Sequence, residues 1–458
     1  MSIEKVTLMI GVSGIRGIVG ETLTPELVTR LGVAFGTYMN SGKIVVGRDT
    51  RVSGVMIKHS VLAGLISTGC EVVDLDICTS PSCSIMVRSL KADGGIIITG
   101  SHNPVEWNAL KFLKGNGIFL NDEEGKQLLN IYYQGAFKKA RWDNLHSVSK
   151  NDEAVEKHIK KILENIDVRL IRKKKFKVAI DSCNGAGAII TPILLEKLGC
   201  EVIKIHCEPN GLFPHNPEPI FINLQELCKT VKKVKANIGF AQDADADRIA
   251  IIDEDGHYLG EEYSICLVSN FILKNYPEST VVVNIVTTQA IEDITKRYNS
   301  KLIRTKVGEV YVAEEMLREK AIIGGEGNGG IIYPKIHYVR DSLVGIALIL
   351  QYMAETNKSI KELSLEIPRY YMTKEKLTCL SKDSYKILNI LKEKYKNEIL
   401  DLTDGLTITK NGLKINIRQS NTEPILRIFV ESNSHNKSLK IANEIKKEIS
   451  GFLRKINC

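Results

Sequence analysis

No apolar run in the 458-residue chain approaches the ~18 residues that a membrane-crossing helix needs, which excludes a helical membrane protein. The opening Met1-Ser2-Ile3-Glu4-Lys5-Val6 lacks a basic-then-apolar leader, so the cytoplasm is the expected compartment. Ten cysteines, at 70, 78, 83, 183, 200, 207, 228, 266, 379 and 458, form no C-x-x-C pair, which leaves zinc-ribbon and thioredoxin-type chemistry without footing. They read as small, reduced, mostly buried hydrophobes. Aromatic residues make up only 6% and do not interleave with the basic clusters, so a base-stacking nucleic-acid platform is not expected.

What is there is the composition of a folded protein, 43% apolar and 25% charged. At roughly 150 residues per domain the length predicts two to four domains with real cores. The net charge of +8 is concentrated at the end, where 371–458 holds 17 Lys+Arg against 10 Asp+Glu. Such a bias suits nucleic acid, a membrane surface or a phosphorylated small molecule. The densest basic run, Arg169 to Lys177, reads as a solvated linker face.

Short β-branched runs alternate with longer amphipathic segments, the pattern of a parallel sheet covered by helices, and the fold class is α/β. Thr24-Pro25-Glu26 caps a helix with Leu27, Leu31 and Phe35 on one face, and Lys43-Ile44-Val45-Val46-Gly47 follows as a strand. A second unit starts near Phe176 with the strand Val178-Ala179-Ile180-Asp181, and a third follows the turn Glu254-Asp255-Gly256 with Val281-Val282-Val283-Asn284. From about 371 the order changes to a helix, hairpin strands around Asn411-Gly412, a strand Ile425 to Val430 and a closing helix from Ser438, which predicts a smaller α+β domain. The domains are therefore 1–150, 151–255, 256–370 and 371–458.

Four loops carry residues suited to chemistry. Thr99-Gly100-Ser101-His102-Asn103-Pro104 follows an apolar strand and presents a serine suited to nucleophilic attack or phosphate carriage, although Ser-His-Asn is also ordinary turn chemistry. In Asp243-Ala244-Asp245-Ala246-Asp247-Arg248, three alternate carboxylates repel one another unless a hard cation joins them, which points to Mg²⁺. A calcium hand is the rival, with Glu254 at loop position twelve, but Arg248 stands at position six where the turn needs glycine. Gly324-Gly325-Glu326-Gly327-Asn328-Gly329-Gly330 offers one carboxylate and one amide to a polar ligand, and a plain flexible turn explains it about as well; no Lys-Ser or Lys-Thr closes it as a P-loop. Arg418-Gln419-Ser420-Asn421-Thr422-Glu423-Pro424, with Arg427 beyond, combines arginine, hydroxyls and turn amides as a phosphate cradle or, equally, as an Arg–Glu paired surface turn.

In this order and spacing, the four loops resemble those of the α-D-phosphohexomutase superfamily, and the likeness runs from Gly11-Val12-Ser13-Gly14-Ile15-Arg16-Gly17 to the last loop. Gly325-Glu326-Gly327-Asn328-Gly329-Gly330 and Arg340-Asp341-Ser342-Leu343 are most similar to the phosphoglucosamine mutase branch, with phosphomannomutase/phosphoglucomutase next. The resemblance implies three related α/β domains with mixed sheets and a smaller C-terminal domain around a central cleft. It implies that Ser101 carries a phosphoryl group, that Ser101, Asp243, Asp245 and Asp247 hold Mg²⁺, and that Glu326 and Asn328 grip the sugar. Arg418, Ser420, Asn421, Thr422 and Arg427 then anchor the unreactive phosphate. Arg16 and Lys111 serve acid–base and charge-stabilising roles, His102 positions the serine loop, Arg248 lies by the transferring phosphate, and Lys306 lines the cleft. A sugar 1,6-bisphosphate is the implied intermediate and activator, the partner is a small phosphosugar and not a nucleic acid or membrane, and the chain is a monomer or homodimer.

Against the usual pattern of that superfamily, Ala244, Ala109 and Asn421 replace glycines, Gly330 replaces a histidine and Val12 a threonine. At a position that takes positive φ, alanine costs on the order of 1 kcal/mol. Three readings follow. A mutase interconverts 6-phospho and 1-phospho sugars, glucosamine phosphate first; a phosphatase built on the same serine releases inorganic phosphate; a non-catalytic calcium-binding protein does neither.

Overall fold

The structure, a computed structural model, describes residues 9–11, 14–420 and 425–456. Four sheets follow one another along the chain. In the first, Gly94–Ile98, Lys43–Arg48, Glu71–Ile77 and Val148–Lys150 run parallel, and Trp107–Lys114, Gly14–Ile18 and Met9–Gly11 extend one edge antiparallel. The second and third sheets share one topology. Each has three parallel strands with the first strand in sequence at the centre, and a fourth antiparallel strand closes one edge: Lys177–Asp181, Glu201–Ile205, Ile238–Gln242 and Ile249–Ile252, then Thr280–Asn284, Lys301–Thr305, Ile323–Glu326 and Gly330–Ile332. The central strands are buried beyond their first residue and rich in β-branched side chains, as helices on both faces require.

The last unit is a five-stranded antiparallel sheet with two helices, Ser381–Lys394 and His435–Ile456. It opens on the strand Tyr371–Thr378, not on the expected helix, and a further strand, Ile399–Asp401, precedes the hairpin. Both are edge strands with a single paired neighbour. Tyr371–Thr378 is half exposed, so Lys374, Glu375 and Lys376 dilute its apolar pattern. The hairpin turn at Asn411-Gly412 has both residues at positive φ, as that dipeptide favours.

Helix starts follow local chemistry. Thr24 accepts from the Leu27 amide ahead of Pro25, Asn121 and Glu124 form a reciprocal capping box, and Asp341 caps Ser342–Thr356. The basic run becomes the short helix Val168–Lys174, with Arg169, Arg172 and Lys173 exposed. The nine described cysteines are free, and seven of them are buried. No helix among the described residues is long and apolar enough to cross a membrane.

One hydrophobic core runs through the second and third units, joining Val178, Phe240 and Ile249 to Val281, Ile331 and Leu343 without a break. The first unit and the last have cores of their own. The four chemistry-bearing loops leave the ends of Gly94–Ile98, Ile238–Gln242, Ile323–Glu326 and Leu413–Gln419, and all four units contribute to one cleft of about 480 Å³.

Candidate active site

Ser101 sits immediately after a buried strand with φ of +48°, a left-handed conformation that a residue with a Cβ adopts only under constraint. The constraint is Arg51. Its fully buried guanidinium donates to the carbonyls of Ser101 (2.8 Å), Asn103 (2.7 Å), Pro104 (2.6 Å) and Trp107 (2.9 Å) and to Asp49 (3.1 Å). Thr99 completes the frame, accepting from the Ser101 amide at 2.8 Å and donating to Asp49 at 2.7 Å. Gly100 is required by this packing, since a Cβ there would lie 2.7 Å from the Arg51 guanidinium carbon. Sequence reasoning included Thr99 in the serine loop without a role and missed Asp49 and Arg51 as parts of the site. A signal existed: Arg48-Asp49-Thr50-Arg51 is a charged run directly after the apolar strand Lys43–Arg48, at the same sheet edge as the serine loop.

The Ser101 hydroxyl donates to Asp243 at 2.7 Å and lies 3.4 Å from His102 Nδ1. Asp243, Asp245 and Asp247 are all fully buried, and one oxygen from each falls within 4.8 Å of the others. Burial, then Asp247 and Asp245, push the Asp243 carboxyl well above its usual range. Burial works the same way on Asp245, but the Lys111 ammonium at 2.6 Å and the Ser80 hydroxyl at 2.6 Å overcome it and hold that carboxyl low. Oδ1 of Asp245 and Oδ1 of Asp247 are buried with no hydrogen-bond donor. Three buried oxygen donors with two lone-pair-bearing atoms unpaired fit a hard divalent cation such as Mg²⁺. A calcium hand is not formed: Ile249–Ile252 is a paired strand, and Glu254 accepts from the Lys361 amide at 3.2 Å.

The loop keeps its shape through the third unit. Ser342 donates to the carbonyl of Ala246, whose φ is +55°, and the Ile249 amide donates to Gly329. Neither Ala244 nor Ala109 has positive φ, so the glycine-replacement strain expected at those two positions is absent.

Arg340 joins the metal-type loop to the glycine-rich loop. It donates to Asp247 at 2.5 Å and to Glu326 at 2.6 Å, with Glu309 3.3 Å from its Nε. Burial, tempered by Arg340, brings the Glu309 carboxyl up to about 7. Glu326 also accepts from Asn284 (2.8 Å), the Gly308 amide (3.2 Å) and Asn328 (3.3 Å). Four donors fill what a carboxylate accepts. Gly330 is the counterpart of Arg340, because a Cβ there would lie 2.2 Å from the Arg340 Cδ. The space a histidine would need is taken by the arginine.

Arg16, His102, Lys111, Arg248, Glu326, Asn328, Arg418, Ser420 and Arg427 all line the cleft. Ser101 and the three aspartates lie buried beneath that lining. Arg16 donates to Asn103 at 3.0 Å, and burial together with Arg248 lowers its guanidinium to about 10. Burial and the cations Arg248 and Arg16 hold His102 well below 6.5, in its neutral form at pH 7. Lys111 remains cationic, since Asp245 and Asp247 outweigh the effect of its burial. Arg418 lies 3.7 Å from Asp404 in the last unit. Lys306 is exposed and does not line the cleft, although Val307 and Gly308 beside it do. Asn421 and Thr422 lie outside the described residues.

Comparison with known proteins agrees with this geometry. The four phosphoglucomutase/phosphomannomutase domain families match in order, alpha/beta/alpha domains I, II and III at residues 7–139, 156–256 and 260–371 and the C-terminal domain at 386–448. A phosphoglucomutase/phosphomannomutase of Thermococcus kodakarensis is 38% identical over 94% of this chain and 96% of its own. A probable phosphoglucosamine mutase of Pyrococcus furiosus is 36% identical over 97% of each. The crystal structure of a phosphoglucomutase/phosphomannomutase family protein from Burkholderia thailandensis superimposes with a TM-score of 0.85 over 97% of this chain and 98% of that one, at 24% identity. The chain belongs to the phosphoglucomutase/phosphomannomutase family of the α-D-phosphohexomutases.

Proposed function

We propose that the chain interconverts glucosamine 6-phosphate and glucosamine 1-phosphate through a phosphorylated Ser101 and a bisphosphorylated sugar. The observation that carries this reading is the Ser101 hydroxyl 2.7 Å from Asp243, beside two buried carboxylate oxygens that have no hydrogen-bond donor among the described residues. Phosphoryl transfer asks little covalent work of a protein and depends on positioning and charge neutralisation. In the first half-reaction the bond from Ser101 Oγ to phosphorus breaks, a bond from phosphorus to the free sugar hydroxyl forms, the sugar hydroxyl loses its proton to a neighbouring base and Ser101 Oγ gains one from a neighbouring acid. The bisphosphate then turns round, and its other phosphate returns to Ser101.

Arg16, whose guanidinium is lowered to about 10 and is still protonated at neutral pH, is the group assigned to give a proton to the departing Ser101 oxygen, and Lys111, held cationic, stabilises charge. His102 and Arg248 position the serine loop and its phosphate, while Arg418, Ser420, Asn421, Thr422 and Arg427 grip the distal phosphate, with Lys306 at the rim. Asp243, Asp245, Asp247 and the phosphate of Ser101 would hold Mg²⁺, which would supply charge neutralisation at the transferring group.

Glucosamine phosphate is put first because Glu326 and Asn328 are acceptors for a protonated 2-amino group and because of likeness to the phosphoglucosamine mutase branch. A charge-assisted bond exceeds a neutral one by ~1–2 kcal/mol, about a tenfold preference. A second reading, phosphomannomutase/phosphoglucomutase, is favoured by one observation: the four donors already on Glu326 leave it no spare capacity unless Asn328 or Gly308 yields. Parallel assays with glucosamine, glucose and mannose 6-phosphates and Mg²⁺ test both. The expected result is about tenfold higher kcat/KM for the amino sugar with no release of inorganic phosphate. Preference for glucose or mannose phosphate moves the chain to the second reading, and stoichiometric phosphate release sinks the mutase.

A further inference from the structure

Asp181, His206 and His215 make a second cluster in the second unit, apart from the aspartate loop. The parallel register sets Asp181 beside Ile205, so that His206, at φ of +47°, turns its ring onto the Asp181 carboxylate. His206 Nδ1 lies 3.0 Å and His215 Nε2 3.1 Å from the same atom, Asp181 Oδ2. The outer ring nitrogens also face acceptors. His215 Nδ1 is 2.8 Å from the Asn216 carbonyl, and His206 Nε2 is 3.5 Å from Glu226. His215 thus gives its outer N–H to a carbonyl and turns its inner nitrogen to the point that His206 shares, the arrangement in which an outer acceptor fixes the tautomer of a metal-ligating histidine. Without a metal, His215 must carry two protons to donate to both of its oxygens.

A second His–His–Asp cluster in the same molecule shows what a complete hydrogen-bonded version looks like. His337 Nδ1 accepts from the Val339 amide and its Nε2–H donates to Asp341, while the other Asp341 oxygen caps a helix through the Leu343 and Val344 amides. His337 needs only one proton there. The Asp181 cluster has no such backbone donor on its rings, and its histidine side chains are 19% and 14% exposed, so an ion and a water ligand have access.

We propose that Asp181 Oδ2, His206 Nδ1 and His215 Nε2 bind one Zn²⁺, with water in the fourth position. Two imidazoles and one carboxylate suit Zn²⁺ and disfavour Mg²⁺, which takes oxygen donors, so the two metals occupy different sites in one chain. The loop between His206 and His215 accepts from the Asn184 side-chain amide at the Leu212 carbonyl and stacks Phe213 4.8 Å from the guanidinium of Arg51, the residue that holds the Ser101 loop.

The test is Zn²⁺ titration of the chelator-stripped full chain in millimolar Mg²⁺, read by calorimetry and by X-ray absorption of the loaded protein. One Zn²⁺ per chain with two imidazole ligands is expected. His206→Gln and His215→Gln should each weaken binding by more than the roughly 10–100-fold that losing an outer partner costs, whereas Asp245→Asn should leave the stoichiometry at one. No uptake, a coordination shell without imidazole, or Zn²⁺ lost in Asp245→Asn and kept in the histidine variants overturns the proposal. The absorption spectrum needs no variant and decides the matter even if a substitution fails to fold.

Discussion

Ser101→Ala is expected to lower mutase turnover by about 10⁴-fold or more while leaving the melting temperature within a few degrees of the parent. The loss is large because the hydroxyl is the group proposed to accept and return the phosphoryl group, and removing a nucleophile removes the step it performs. The fold should tolerate the change. The hydroxyl donates to Asp243, and the loop is held by the Ser101 amide and carbonyl, both of which alanine retains. Alanine also suffers no more at φ of +48° than serine does. Intact mass supplies the second readout, since the phosphate adduct carried by the parent should map to the peptide containing Ser101 and be missing from the variant. Near-parental turnover of the alanine variant with sugar bisphosphate present would sink the phosphoserine mechanism.

Arg51→Ala should be the most destabilising single substitution in the serine-loop frame, on the order of 3–5 kcal/mol. The guanidinium satisfies four carbonyls and Asp49 at once, with the Ser101 carbonyl and Asp49 buried and the other three partly so. Each buried acceptor left unpaired costs ~1–3 kcal/mol, and the loop relaxes away from part of that cost by giving up the left-handed Ser101. Arg51→Lys keeps the charge beside Asp49 but has three donors on one nitrogen and cannot reach four carbonyls spread over Ser101 to Trp107. It should therefore fold and still lose at least about tenfold in kcat with little change in KM. Chemical denaturation and steady-state kinetics check the two halves separately. A destabilisation below about 1 kcal/mol for Arg51→Ala would mean that Thr99 and Asp49 suffice to hold the loop.

The parts of the site legible in the sequence are those whose partners are near in the chain. Ser101 follows an apolar strand, and the three aspartates alternate within five residues, so their chemistry can be read locally. Arg51 and Arg340 cannot be read that way. Arg51 acts on a carbonyl 50 residues away, and Arg340 on a carboxylate 93 residues away. In sequence Arg51 stands in a polar stretch, where a solvated surface is the ordinary expectation, and Arg340 enters only as part of the Arg340-Asp341-Ser342-Leu343 resemblance, with no partner to read. The α/β class and the central strands were legible for the opposite reason, since burial on both faces writes continuous β-branched runs such as Val281-Val282-Val283. The edge strand Tyr371–Thr378, with one partner and one wet face, writes no such run. Backbone conformation was legible least. The alanine that takes positive φ is Ala246, not Ala244 or Ala109, because the hydrogen bond from Ser342 to its carbonyl comes from another unit altogether.

The unbroken core between the second and third units also bears on how the chain can be cut or inherited. A break near residue 255 would expose apolar surface on both fragments, because Ile249 and Phe240 on one side pack into the same cluster as Leu343 and Ile331 on the other. A break near 370 exposes far less, for the last unit closes around Ile387, Ile408, Ile428 and Ile445 by itself. It is joined to its neighbour largely by polar contacts, among them Glu431 with Thr288 and Gln289, Lys414 with the Thr287 carbonyl and Asp404 with the Val307 amide. Recombination between related genes therefore has one natural seam at which whole pieces can be exchanged without reinventing an interior, and it lies at the start of the phosphate-cradle unit. The middle pair travels as one inheritance.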